Sequence, residues 1–522
     1  MRLDRLKWVL LSAVLATAGC AARPVAEQSV AARFEALKAS PPQLSAFLRA
    51  MPKGGDLHNH MSGAIYAESF IAWAIEDGLC LKVATQTITP PPCDAANGLP
   101  PVKDAVAKSD AYNALIDAFS VRNYAIRPVS GHDQFFATFD RYDAADSGRK
   151  GDMLAEVRSR AGSQNILYLE LMDSSGMGPA AQLGRKVGWD DDFGRMYERL
   201  IAAGLPGVAA DAGADFARME ARSREIMACA GATPDPGCAV DARFIAQVIR
   251  VFPKEQVFAE IALGFLLASQ DQSVVGLNLV APEDDRVSLG DYSLHMHMIA
   301  ALHERFPDVR VTLHAGELTL GLVPPKDLRF HIAQAVRVAG ASRIGHGVDI
   351  MDEDAPETLL AEMARKQVMV EINLTSNDVI LGVAGDAHPF ETYRAFGVPL
   401  ALSTDDEGVS RIDLTHEYGR AVLTYDLSYA DVKQLSRNSL TYAFVKGASL
   451  WSDPRHARRI EACRADRPGT SPPSAACTAF LGGSEKARLQ WALETAFERF
   501  EAAQASPPLR PVSLPRLSKA PA

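Results

Sequence analysis

Within Gly55-Asp56-Leu57-His58-Asn59-His60, two histidines stand two residues apart. In a β-strand alternate side chains share a face, so both imidazoles can turn toward one metal ion. On a helix the same spacing sends them to nearly opposite sides. Alone, the pair fits a packing or surface histidine as well as a ligand. Three later stretches add weight: Leu313-His314-Ala315-Gly316-Glu317, Ile344-Gly345-His346-Gly347 and Leu402-Ser403-Thr404-Asp405-Asp406. Each is an apolar, strand-like run that ends in ligand-type or proton-transfer residues. His314 also reads as a core histidine at a strand end, and Asp405-Asp406 as a helix N-cap; Glu317, three residues beyond His314, favours chemistry. A catalytic zinc takes nitrogen and carboxylate ligands and keeps one position for water. His58, His60, His314 and Asp405 offer that set.

These residues need a scaffold that brings strand ends together. Strand-like runs cover Gly55–His60, Ile166–Met172, Arg243–Val251, Val274–Leu279, Val309–His314, Arg343–His346, Val368–Asn373 and Pro399–Thr404. Most are continuous apolar runs, the pattern of strands buried on both faces. Helical stretches such as Asp291–Arg305, Pro325–Ala339 and Pro356–Lys366 separate them. Eight β/α repeats with reactive residues at strand C-termini predict an α/β fold, a TIM (β/α)8 barrel whose site lies at that face. The gap between the first two strands, about 105 residues, far exceeds one crossover. It is expected to be a helical insertion (about 61–165), with helices at Ala67–Asp77, Asp110–Ala118 and Asp133–Asp146, packed over the barrel mouth. A helical C-terminal extension follows the barrel. The barrel unit is taken as 46–505, with 21–45 as a polar tether leading into a first helix and 506–522, rich in proline, as a disordered tail.

The chain has 522 residues, 48% hydrophobic and 23% charged, with a formal net charge of −10. Such a balance gives no basic footprint for a nucleic-acid polymer, while leaving a small nucleoside or nucleotide open. Arg2, Arg5 and Lys7 precede an apolar run from Trp8 to Ala16, then Thr17-Ala18-Gly19-Cys20. The run is shorter than the about 20 residues that span a bilayer and reads as a signal peptide over 1–20. Its Gly19-Cys20 end is similar to a bacterial lipoprotein signal, in which Cys20 is lipidated and becomes the mature N-terminus; Thr17 departs from the usual Leu. The expected location is an anchor on a bacterial membrane facing the periplasm or exterior, with ordinary secretion as the alternative. The other six cysteines fall into close pairs around turn-rich sequence. Local pairing needs the least chain closure, so Cys80–Cys93, Cys229–Cys238 and Cys463–Cys477 are expected as disulfides in an oxidising compartment.

His58-x-His60, His314-Ala315-Gly316-Glu317, Gly345-His346-Gly347, Leu374-Thr375-Ser376-Asn377 and Ser403-Thr404-Asp405-Asp406, in that order, resemble the adenosine/AMP deaminase family of metal-dependent amidohydrolases. Met51-Pro52-Lys53-Gly54-Gly55 looks most like its secreted, growth-factor-type branch. The resemblance implies one Zn2+ per chain on His58, His60, His314 and Asp405. It implies Glu317 as the donor of a proton to purine N1 and His346 as the group that orients or deprotonates the attacking water. Asp406 is implied as the partner of purine N7 and Gly276 as a backbone donor to N3, although a strand glycine also serves simply to relieve crowding. Ser62 stands where well-known intracellular members carry an Asp that binds the ribose 5′-hydroxyl, which predicts looser demands at the 5′ end.

The implied partner is a small-molecule purine nucleoside, and the implied reaction is hydrolytic deamination of adenosine or 2′-deoxyadenosine. Alternatives are the same chemistry on adenine, an adenine nucleotide or a modified nucleoside, and a surface-anchored binding protein that has lost catalysis. His295-Met296-His297 repeats the spacing but falls in a helical run, where the pair diverges. Strand four offers Asn278 and no lysine for a bridging carbamate, against a two-metal site. The oligomeric state is not legible in the sequence.

Overall fold

The computed structural model describes residues 25–505; the expected signal peptide with Cys20 and the proline-rich tail lie outside the described residues. Strands β1 (Gly54–His60), β2 (Ile166–Asp173), β3 (Asp241–Ile249), β4 (Val274–Val280), β5 (Arg310–Ala315), β6 (Arg343–His346), β7 (Met369–Ile372) and β8 (Leu400–Leu402) form one sheet. They lie side by side in chain order, every neighbouring pair parallel. The first and last strands meet at one bridge. There the Asp405 amide donates to His58 O at 2.9 Å and the His60 amide to Asp405 O at 2.8 Å. With helices around it, this nearly closed sheet is the expected TIM barrel.

Sequence explains the strand interiors. Val274–Val280 reads VVGLNLV and is buried along nearly its whole length; helices pack outside it and side chains fill the barrel inside. All three expected disulfides are present, with Cα–Cα distances of 5.3, 5.5 and 4.7 Å.

The tether expected over 21–45 is corrected within its described part. Residues 25–45 carry helix α1 (Val25–Leu37) and the first half of α2 (Pro41–Ala50). Val30 and Phe34, four apart, make a helical stripe that polar composition concealed. Phe34 packs on Phe47 and Tyr429 at 5.5 and 5.9 Å between ring centres, and Phe47 on Phe500 of the final helix, Glu485–Ala505, at 5.0 Å.

The insertion holds the three expected helices as Ala67–Glu76, Ser109–Ala118 and α3 (Gly131–Asp146), plus a small hairpin, Cys80–Lys82 with Thr87–Thr89. Ser130 caps α3 by accepting from the Asp133 amide at 2.9 Å. Helix α3 then lays Phe135, Phe136 and Phe139 over the C-terminal end of the barrel.

Candidate active site

His58 and His60 leave β1 on the same side, and β5 and the end of β8 bring His314 and Asp405 to meet them. His314 Nε2 lies 3.1 Å from His58 Nε2 and 3.3 Å from His60 Nε2. Asp405 Oδ1 lies 3.2 and 3.3 Å from the same two nitrogens. The four donor atoms all lie within 4.8 Å of one another, close enough to hold one metal ion between them.

Partners behind the ligands set their tautomers. His58 Nδ1 faces Glu371 Oε2 at 2.6 Å, His60 Nδ1 faces Gln247 Oε1 at 2.8 Å and His314 Nδ1 faces Asn278 Oδ1 at 3.0 Å. Each Nδ1 therefore donates, and three Nε2 lone pairs converge. The Ser376 hydroxyl donates to Asp405 Oδ2 at 2.6 Å. Asp405 has φ 61° and His346 φ 67°, both in the left-handed region. Such backbone is costly for residues with side chains and gathers at functional sites.

Glu317 and His346 complete a second cluster with Asp405. Burial, and then the Asp405 carboxylate, push the Glu317 carboxyl well above its ordinary range, which favours its protonated form. Its turn is pinned from behind. Glu283 accepts from the Gly316 amide at 3.1 Å and the Glu317 amide at 2.8 Å, and His331 Nδ1 meets it at 2.6 Å. Gly316 has φ 76°, and a Cβ there would collide with the Asp349 carboxylate. Burial holds His346 down to about 3, so its ring is neutral.

Residues 217–449, which include His314, Glu317, His346, Asp405 and Asp406, match the family model for adenosine deaminase. The adenosine deaminase of Escherichia coli (strain SE11) is 38% identical over 136 residues, 26% of this chain and 38% of that protein. The adenosine deaminase of Klebsiella pneumoniae (strain 342) is 33% identical over 207 residues, 40% of this chain and 56% of that protein. Residues 217–449 are thus similar to the adenosine deaminase family, and the curated relatives they match are adenosine deaminases. The matches span between about four-tenths and somewhat over half the length of these curated relatives. Two solved structures share the fold. Arabidopsis ADAL complexed with IMP aligns with TM-score 0.50 and 21% identity over 79% of this chain and 96% of that one. The Arabidopsis N6-mAMP deaminase MAPDA aligns with TM-score 0.50 and 20% identity over 79% and 98%.

The site opens into a cavity of about 450 Å³ between the strand ends and α3. Its lining includes the three phenylalanines of α3, and its carboxylates are Asp140, Glu317, Asp405 and Asp406; neither lysine nor arginine is among the lining residues. Burial pushes Asp406 up to about 7. Ser62 does not line the cavity; it sits beside the buried Tyr142 hydroxyl. Gly276 is a correction. It lies near the start of β4, and a Cβ there would meet Arg310 O at 2.7 Å and the Phe444 ring at 2.9 Å. Relief of crowding at the far end of the barrel explains it. From β4 and the loop after it, Val280, Ala281 and Pro282 reach the cavity, with Ala281 at φ 82°. His295 and His297 diverge as expected, one buried and one exposed.

Sequence reading missed Glu371, Gln247, Asn278 and Glu283. Glu371 carried a readable signal, a single acid inside the buried run Met369–Ile372. His331 and His388 had none: lone histidines look alike whether they face solvent or a site.

Proposed function

We propose that this protein is a hydrolase that deaminates an adenine nucleoside, adenosine or 2′-deoxyadenosine, with one zinc ion per chain. The observation that carries the reading is the four-donor cluster with the buried Glu317 carboxyl beside it in the same cavity. A divalent ion in that cluster supplies a Lewis acid that makes a hydroxide nucleophile available near neutral pH.

The chain's own groups divide the remaining work. Glu317 gives its proton to purine N1 as oxygen adds to C6, the Glu283 clamp holds its carboxyl in place, and the C6–N6 bond then breaks as the proton of the added hydroxyl passes to the departing ammonia. Asp406, raised to about 7 by burial, donates a hydrogen bond to N7 when protonated, and His346 orients the oxygen that attacks. Phe135, Phe136 and Phe139 cover the purine and exclude water, which strengthens each electrostatic contact.

The cavity lining favours an uncharged substrate over a nucleotide. A 5′-phosphate would enter among carboxylates with no lysine or arginine lining the cavity to receive it. The disulfides support an oxidising compartment and so an exported protein.

Zinc-replete protein should be assayed for ammonia release from adenosine, 2′-deoxyadenosine, adenine and AMP. The expected result is kcat/KM for a nucleoside at least about 100-fold above that for AMP, since an unpaired phosphate costs several kcal/mol. A preference for AMP overturns the substrate assignment. No turnover of any purine overturns the reaction.

A further inference from the structure

A backbone amide can only donate, so it gives direction to any chain of hydrogen bonds that begins with it. The Phe390 amide points at His388 Nδ1, 3.1 Å away, and that nitrogen must carry a lone pair. His388 is buried and neutral, held down to about 4 by burial and by Arg420. Its one proton therefore sits on Nε2, which donates to Asn377 Oδ1 at 3.1 Å. This contact fixes which way the Asn377 amide faces: Nδ2 turns to His346 Nδ1 at 2.8 Å and donates to it. His346 accepts at Nδ1, so its own proton lies on Nε2. That nitrogen has no hydrogen-bond partner among the described residues and lies 4.0 Å from Asp405 Oδ1. The competing acceptor for a proton on Nδ1 is Glu317 Oε1, and at 3.4 Å it is beyond normal hydrogen-bond length.

We propose that Asn377 and His388 are positioning residues that lock His346 in the tautomer with its proton on Nε2. His346 then offers an N–H donor to the attacking oxygen, and no lone pair with which to deprotonate it. Of the two roles open to this histidine in the reading above, orientation remains. The polarity originates in the Phe390 amide, at the start of the helix Phe390–Phe396, and passes through two buried side chains before it reaches the cavity.

The catalytic consequence rests on the deaminase reading; the tautomer does not. Zinc-loaded protein labelled with 15N in its histidine rings should be examined by long-range 1H–15N correlation, with His346 assigned by its loss in His346→Gln. The expected pattern is a protonated Nε2 and a bare Nδ1. A protonated Nδ1 in the wild type overturns the proposal, whatever the substrate. Asn377→Asp exchanges the donor for an acceptor and should move the proton to Nδ1. With zinc content unchanged and KM within about threefold, kcat should fall by about 10²–10⁴-fold, the scale of a wrong-tautomer histidine. His388→Leu should give a mixed pattern and His388→Gln, which can still donate to Asn377, a pattern near wild type. An unchanged spectrum in both Asn377→Asp and His388→Leu removes the positioning role. Should Asn377→Asp not fold, the wild-type spectrum and the His388 pair still decide. Correct tautomer without purine deamination would refute the function and leave the relay standing.

Discussion

Glu371 Oε2 lies 2.6 Å from His58 Nδ1, and neither side chain reaches solvent. The other oxygen receives Arg343 Nε at 2.6 Å and the Thr312 hydroxyl at 2.9 Å. Such a carboxylate fixes the imidazole's orientation and strengthens it as a ligand. Glu371→Gln keeps the shape, and Arg343 retains Glu170 at 2.6 Å. Zinc affinity, measured by chelator competition, should fall by about 10–100-fold. Unchanged affinity would mean that the carboxylate serves only the barrel core.

Glu317→Gln should bind zinc as the wild type does and lose turnover by about 10²–10⁴-fold, because an amide cannot deliver the N1 proton. Single-turnover rates and metal content together separate the two effects. Near-normal turnover would assign the acid elsewhere.

Ser62 does not line the cavity; it sits beside the buried Tyr142 hydroxyl. Its hydroxyl therefore makes no direct contact with the 5′ end of a bound nucleoside, and Ser62→Ala should leave the kcat/KM ratio of adenosine to its 5′-deoxy analogue within about threefold of the wild type. A larger change would place Ser62 at the 5′ end.

Glu260 is fully buried, and one oxygen accepts from the Ile249 amide at 2.7 Å while the other has no partner among the described residues. Burial raises its carboxyl from 4.5 to about 8. The folded state keeps a proton that the unfolded state releases, so this group's contribution to stability is greatest below pH 4.5 and falls as pH rises toward 8. Glu260→Gln removes that dependence. Its melting temperature should match the wild type near pH 4.5 and exceed it near pH 8, by an amount equal to about 2–4 kcal/mol. Equal melting at both pH values would show that the carboxyl titrates normally.

The barrel was legible because its signals repeat: runs such as Val274–Val280 can only be strands with cover on both faces. His58, His60, His314 and Asp405 were legible because ligand types stood at strand ends in a known order. What stayed hidden depends on three-dimensional neighbours. Gly276 looked like a backbone donor until Arg310 and Phe444 were seen against it. Helix α1 looked like a linker because a stripe of two residues, Val30 and Phe34, is weak against an Ala- and Pro-rich background. His388 gains meaning only through the Phe390 amide, which no pattern of residue types records.

The seam of the barrel has a consequence for how the chain assembles. Asn59 and Thr404, joined across it by a hydrogen bond of 3.0 Å, lie 345 residues apart, and sparse backbone pairing holds this edge. Two metal ligands sit on the first strand and one just past the last, so an ion gripping all of them is a clasp on that edge. No unfinished chain owns the clasp, since Asp405 follows every other strand. Folding can collapse the intermediate strands early, but the ring locks only when its two ends are both present. Ions that bind the closed ring and not the open one pull the equilibrium toward closure. Withdrawing them should open this edge first, and protease cuts should appear at the loop after β8 before they appear anywhere in the middle of the barrel.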